Sequence, residues 1–222
     1  MRLFFILLLI LQIKSFNINN FIYHARLCKL TYKTYNNIFI IVHKNNSLNI
    51  CFRGTKNMND IYLNFNIIQK SFIKKEIKVH RGFLNKYLSI RDKVINKTNE
   101  IISNNNIEDI YISGHSSGGA IANIASLDLY YLYPNIRINT ITFGAPKMAN
   151  KAFVEEYNNK INNSIRIVNK YDIFQYLPLS IPIIYHHIHK PLILLDNVKK
   201  INIIYNHEIK TYIKNLIIFN IR

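Results

Sequence analysis

Residues 107–113 form a β-rich run that stops at Gly114-His115-Ser116-Ser117-Gly118, and small residues (Gly119, Ala120, Ala122) begin at once behind it. No other feature narrows the possible folds as far. A strand that turns sharply into a helix lifts the residue at the turn above the end of a sheet, and flanking glycines let the backbones approach closely. Small residues in the first helical turns allow that helix to lie against the strand behind it. The pattern predicts a strand, a tight turn and a helix, with the Ser116 hydroxyl held exposed at the apex.

The flanking segments extend this unit into a sheet. Residues 38–43 and 48–52 are β-rich and separated by Lys44-Asn45-Asn46-Ser47, which predicts an antiparallel hairpin. Over 83–103, Leu84, Tyr87, Leu88, Val94, Ile95 and Ile101 recur at roughly helical spacing, and Asn104-Asn105-Asn106 closes that helix. Beyond Ser116 the spacing predicts a helix to Tyr133, a strand over 138–143, a helix over 150–158 and a strand over 165–169. Such alternation places the chain in the α/β class, with a mainly parallel central sheet and helices on both faces, and the serine turn between strand and helix is the expected pattern of an α/β-hydrolase. The pattern loosens through Pro178, Pro182 and Pro191, and residues 207–219 predict a closing helix.

A chain of 222 residues, 49% of them hydrophobic, can bury one sizeable core. It shows no internal repeat and no Pro/Gly/Ser linker. Arg2 precedes an apolar run over 3–13, interrupted only by Gln12 and followed by Lys14 and Ser15. That run is shorter than the roughly 20 residues of a membrane span and has the layout of a signal peptide. The expected organisation is a leader over 1–15, a single domain over 16–222, and export through the secretory pathway.

The formal net charge is +17, but the lysines are scattered singly or in pairs without an aromatic-interleaved basic stripe, so no nucleic-acid partner is expected. Only two cysteines occur, Cys28 and Cys51, which rules out a disulfide framework. One bridge and two buried thiols both remain open. Sequons at Asn45, Asn96 and Asn162 carry little weight in so Asn-rich a chain.

A serine hydroxyl is a weak nucleophile until a base takes its proton, and on this fold an acid and then a histidine follow the serine in the chain. Asp128 lies within the helix after Ser116 and is carried away from the turn, and Asp196 lies late. Asp172 follows a strand on the carboxyl side of the sheet, where ligand sites of open α/β sheets gather. Four histidines come later: His186, His187, His189 and His207. His187 and His189 have no carboxylate or cysteine at ligand spacing, so neither metal nor cofactor is expected. His207 falls at the expected start of the last helix, where the positive dipole end favours a neutral imidazole. The expected triad is Ser116, Asp172 and His207, with the earlier histidine cluster as the alternative source of the base. The oxyanion donors are expected at the backbone amides of Ser117 and of Thr55 in Arg53-Gly54-Thr55.

These residues together resemble the class 3, fungal-type triacylglycerol lipase family, from about residue 50 to 216. Phe52-Arg53-Gly54-Thr55 resembles its oxyanion motif, and Val79-His80-Arg81-Gly82-Phe83-Leu84 the block before the nucleophile strand. Thr142-Phe143-Gly144-Ala145-Pro146-Lys147, with Phe153 beyond, resembles the block after the nucleophile helix. Arg166-Ile167-Val168-Asn169, Asp172 and Leu177-Pro178 resemble the segment carrying the triad acid. Tyr185-His186-His187 matches a Tyr-x-His element, and His207, Tyr212 and Leu216 fit the place of the catalytic histidine and its terminal helix. The chain departs from the family pattern in the lid segment over 58–65, where Ile61 and Asn64 replace Trp and Asp. It departs again at Ile173-Phe174-Gln175, where Pro is usual, and at Asn206, where an acid is common. The resemblance implies a serine carboxylic-ester hydrolase acting through an acyl-enzyme on triacylglycerol, without a cofactor, in transient contact with a lipid interface. The rivals are a phospholipase A1 or other acyl-ester hydrolase, and a catalytically silent lipase-like protein that binds membranes or a partner. Oligomeric state is not legible.

Overall fold

A computed structural model describes residues 17–34, 37–55, 68–178, 184–189, 191–195 and 202–221. The leader over 1–15, the lid segment over 58–65 and Asp196 lie outside the described residues. Helix α1 (Ile18–Thr31) comes first, capped by Asn17, whose side chain accepts from the amide of Asn19. The hairpin follows as β1 (Phe39–Lys44) and β2 (Ser47–Phe52), antiparallel as expected, with Asn45 in the left-handed region at its turn. Asn tolerates that conformation better than most side chains.

A small two-stranded sheet, β3 (Gln69–Phe72) and β4 (Lys74–His80), leads into α2 (Arg81–Asn104). His80 ends β4 and caps α2, its Nδ1 accepting from Gly82 N–H at 3.1 Å. On α2 the buried stripe is Leu84, Tyr87, Ile90, Val94 and Thr98, whereas Leu88, expected on that face, is exposed. Then come β5 (Asp109–His115), α3 (Ser117–Leu132), β6 (Arg137–Phe143), α4 (Lys151–Lys160), β7 (Asn163–Asn169) and β8 (Pro191–Leu194). The expected final helix is two: α5 (Ile203–His207) and α6 (Ile209–Ile221), broken at Glu208.

The main sheet runs β1-β2-β5-β6-β7-β8, and every pair except β1–β2 is parallel. Pro191 begins the edge strand β8, a position that needs no ladder donor. Because side chains alternate across a strand, β2 sends Ile50 to one face and Cys51 to the other. One core gathers Ile50, Phe52, Ile110 and Ile112 beneath α2, α3 and α4; the second gathers Cys51, Ile141, Phe143 and Ile167 beneath α1 and α6. Helices thus cover both faces of an α/β-hydrolase sheet. β5 lies at its centre with its carboxyl end at the turn into α3, so Ser116 stands where both layers meet. No helix among the described residues is long and apolar enough to cross a membrane.

Candidate active site

Ser116 separates β5 from α3 with φ 58° and ψ −132°, a conformation an L-residue adopts only under constraint. The constraint is visible. Ser116 N–H donates to the carbonyl of Phe143 at the end of β6, at 2.9 Å. A side chain at Gly114 would overlap the backbone of Gly118, and one at Gly118 would overlap the backbone of residues 52–54. The two glycines let the first turn of α3 lie flush on the end of β2, which brings Thr55 beside Ser117.

Thr55 N–H donates to Ser117 Oγ at 2.9 Å, and Thr55 Oγ1 lies 2.9 Å from the same oxygen. The Ser117 amide belongs to the first turn of α3, where no intrahelical acceptor exists. The two residues expected to hold an oxyanion are therefore adjacent, although they come from segments 62 positions apart.

Asp172 follows β7 and is fully buried. His207 Nδ1–H donates to Asp172 Oδ2 at 2.8 Å, which fixes the tautomer and leaves Nε2 with a lone pair. Nε2 is buried and has no hydrogen-bond partner among the described residues. Asp172 Oδ2 also accepts from Tyr212 O–H at 2.6 Å, and Oδ1 accepts from Phe174 N–H at 2.9 Å. Phe174 stands within the stretch where proline is usual in the resembling family; it supplies an amide to the acid and stacks on His207, with centroids 4.1 Å apart. Burial, and after it the carboxylate of Asp172, pushes the Tyr212 hydroxyl well above its ordinary pKa, so it stays a donor.

His207 ends α5 rather than opening the last helix, so the dipole effect expected of a helix N-terminus does not act on it. Its backbone is held instead. His115 Nε2–H donates to the His207 carbonyl at 2.6 Å, and His115 Nδ1 accepts from Tyr32 O–H at 2.8 Å. Burial, then the neighbouring His207, keeps His115 well below the ordinary histidine pKa and hence neutral. Asn169 Nδ2 donates to the Asn206 carbonyl at 2.8 Å, while Asn169 Oδ1 accepts from Asn215 at 2.9 Å, tying β7 to α5 and α6.

The rival groups are placed elsewhere. Asp128 accepts from Tyr87 O–H and from Arg91 Nε, both at 2.6 Å, beneath α2. His187 Nε2 donates to the Gln175 carbonyl at 2.6 Å and His189 Nε2 bonds the Ile161 carbonyl at 3.0 Å, so both rings are occupied by backbone. Four contributors were missed from sequence: Tyr212 as a donor to the acid, His115 and Tyr32 as the brace on His207, and Gly144. Gly144 has φ +55°, and a Cβ there would lie 2.6 Å from Asp172 Oδ2 and 2.8 Å from Tyr212 Oη. A glycine directly after a strand was the one available signal.

A cavity of about 440 Å³ opens beside this cluster, lined by Thr55, His115 and His207 and by the lysines 29, 33 and 210.

Residues 49–181 match the family model described as Lipase (class 3). A lipase of Rhizopus niveus is 29% identical over 142 residues, covering 61% of this chain and 36% of that protein. The chain thus spans about a third of the length of the relatives it matches. Among solved structures, the lipase of Rhizopus microsporus var. chinensis is similar with TM-score 0.60 at 25% identity, covering 63% of this chain and 51% of the other. The triacylglyceride lipase of Rhizomucor miehei is similar with TM-score 0.70 at 20% identity, covering 81% of each chain.

Proposed function

We propose, from the premise that this chain belongs to the class 3 lipase family, that it is a serine carboxylic-ester hydrolase acting on acylglycerols through Ser116, Asp172 and His207. One observation carries the reading. His207 turns Nδ1 to a buried carboxylate and keeps a buried, unpartnered Nε2, and its ring packs on Gly144, where a Cβ would lie 3.2 Å from Cε1, next to the Phe143 carbonyl that holds the strained Ser116. A nitrogen with a free lone pair, fixed in tautomer and shielded from water, is what a general base for a serine hydroxyl requires.

In the first half-reaction His207 Nε2 takes the proton of Ser116 Oγ as that oxygen adds to the ester carbonyl. Negative charge gathers on the former carbonyl oxygen, and the amides of Thr55 and Ser117 receive it. His207 then gives its proton to the leaving alkoxide, the C–O bond breaks, and an acyl-serine remains. Water repeats the cycle: His207 removes its proton, the hydroxide adds, and collapse returns the proton to Ser116 with release of the acid. Asp172 stays ionised and orients the imidazolium throughout.

Replacement Ser116→Ala tests this on a panel of glycerol and p-nitrophenyl esters, where removing one triad member costs about 10⁴-fold or more. Turnover retained within tenfold in that variant refutes the assignment. His207→Ala is expected to match it and His187→Ala to stay near wild type, because His187 serves the Gln175 carbonyl.

The cavity favours a second reading for the substrate. Lys29, Lys33 and Lys210 stand around it against the single carboxylate of Glu208, and none of the three forms an ion pair among the described residues. An acyl ester with a phosphate, as in phospholipase A1 action, suits that rim better than a neutral triacylglycerol. Head-group profiling with soluble short-chain substrates separates the two.

A further inference from the structure

The side chain of Ser117 stands where only its amide was expected to matter. Its Oγ accepts from Thr55 N–H at 2.9 Å and lies 2.9 Å from Thr55 Oγ1. Those are the groups Thr55 would turn toward a substrate oxygen. A single hydroxyl oxygen therefore engages them at the separation an oxyanion takes, roughly 2.7–3.1 Å. We propose that the Ser117 hydroxyl is a resident occupant of the oxyanion hole, a stand-in for the ester carbonyl oxygen that each substrate displaces. The proposal rests on the hydrolase reading above.

The backbone dictates which partner must yield. A Cβ added to Gly118 would lie 2.8 Å from Arg53 C and 2.9 Å from Gly54 N, so the segment leading to Thr55 is pressed against the first turn of α3. Residues 52–54, which carry Thr55, have no room to shift toward α3. The Ser117 side chain has one heavy atom beyond Cβ, and rotation about a single torsion takes that atom out of the hole with its backbone unmoved. Without substrate the arrangement satisfies a part-buried amide that would otherwise lose its hydrogen bond. With substrate it costs that bond before the carbonyl gains its own. Ser117 is then a positioning residue whose hydroxyl slows the acylation its amide assists.

The test compares the full chain with Ser117→Ala and Ser117→Thr in two assays. One is kcat/KM on p-nitrophenyl butyrate; the other is the rate at which a p-nitrophenyl alkylphosphonate labels Ser116. Alanine keeps the amide and removes the occupant. Both rates should rise about three- to tenfold in Ser117→Ala, the range one neutral hydrogen bond carries, and should not rise in Ser117→Thr, which retains a hydroxyl. An unchanged rate in Ser117→Ala overturns the proposal and leaves the hydrolase reading intact. A lower rate, with an unchanged melting temperature, also overturns it and makes the hydroxyl a third donor to the oxyanion. A wild-type chain inert to both reagents removes the hydrolase reading and this proposal together.

Discussion

Tyr212 and His207 donate to the same oxygen of the same carboxylate, Asp172 Oδ2, at 2.6 and 2.8 Å. Two donors on one oxygen hold the acid in a single rotamer and keep its charge aimed at the imidazole, while Phe174 N–H holds the other oxygen. Tyr212→Phe keeps the ring and removes two hydrogen bonds: the one donated to Asp172, worth about 1.5–3 kcal/mol with a charged acceptor, and the one accepted from Asn169 N–H at 3.2 Å. The expected result is a fall in kcat of roughly tenfold with KM nearly unchanged, since the carboxylate, left with His207 and Phe174 N–H, is held less firmly toward the imidazole during proton transfer. Steady-state kinetics beside a thermal melt separates this from simple loss of fold, which would lower the active fraction without altering the pH profile of what remains.

Gly144 is the point at which the sheet makes room for that cluster. With φ +55° and a would-be Cβ 2.6 Å from Asp172 Oδ2, Gly144→Ala combines backbone strain with a direct collision against the acid. Strain of this kind costs about 1–3 kcal/mol, and displacing Asp172 adds the loss of its hydrogen bonds. The variant should melt well below wild type and show at least a hundredfold loss of ester turnover. A Gly144→Ala protein with wild-type kinetics would mean that Asp172 does not orient the base.

Acid should destabilise the fold through histidines that lie outside the proposed triad. Burial lowers the pKa of His24 and of His187 to about 3, and burial followed by Arg81 lowers that of His80 to about 4. Each is held below the ordinary histidine value of about 6.5, so between those limits the unfolded chain binds more protons than the folded one. Stability is therefore complete above about pH 6.5 and is lost as pH falls toward 4, by at most about 1.4 kcal/mol per pH unit for each histidine. Denaturant midpoints between pH 7.5 and 4.5 give the slope. His24→Gln should make it shallower, because His24 is fully buried and its Nδ1 lies 3.2 Å from the uncharged Ser113 Oγ.

What could be read from the chain and what could not follow from how local each signal is. The strand, the turn at Ser116 and the helix behind it were legible because glycines and small residues mark close backbone approach within a dozen positions. The place of Asp172 just past β7, at the carboxyl end of the sheet, was legible for a related reason, since the strand before it is marked by its own apolar run. Helix α1 was not, since Asn17 caps it without an acidic first turn and its apolar face is interrupted by polar residues such as His24 and Thr31. β8 hides behind Pro191, which reads as a break until the edge position is known. The helix-start dipole that the sequence suggests for His207 does not act on it; the contacts that hold it come from His115, Phe174 and Asp172, all at least 33 positions away. Tyr212 and Gly144 matter through three-dimensional proximity to one carboxylate, and nothing in their immediate neighbours announces that.

The two cysteines give a measure of how firmly α1 sits on the sheet. Cys28 on α1 and Cys51 on β2 are both fully buried as free thiols, with sulfurs 3.4 Å apart. Burial, then the hydrogen bond with Cys51, pushes the Cys28 thiol well above its ordinary pKa. The thiolate is the species that alkylates, so Cys28 is suppressed twice, by access and by protonation. Native protein at pH 8 should take up almost no iodoacetamide over an hour, and denatured protein should take up two equivalents without added reductant. Any slow native labelling should reach both sulfurs together, because separating α1 from β2 uncovers the pair at once, and its rate reports that local opening. Rapid native labelling of Cys28 alone would show that α1 lifts from the sheet far more easily than its buried face, built on Phe21, Ala25 and Cys28, implies.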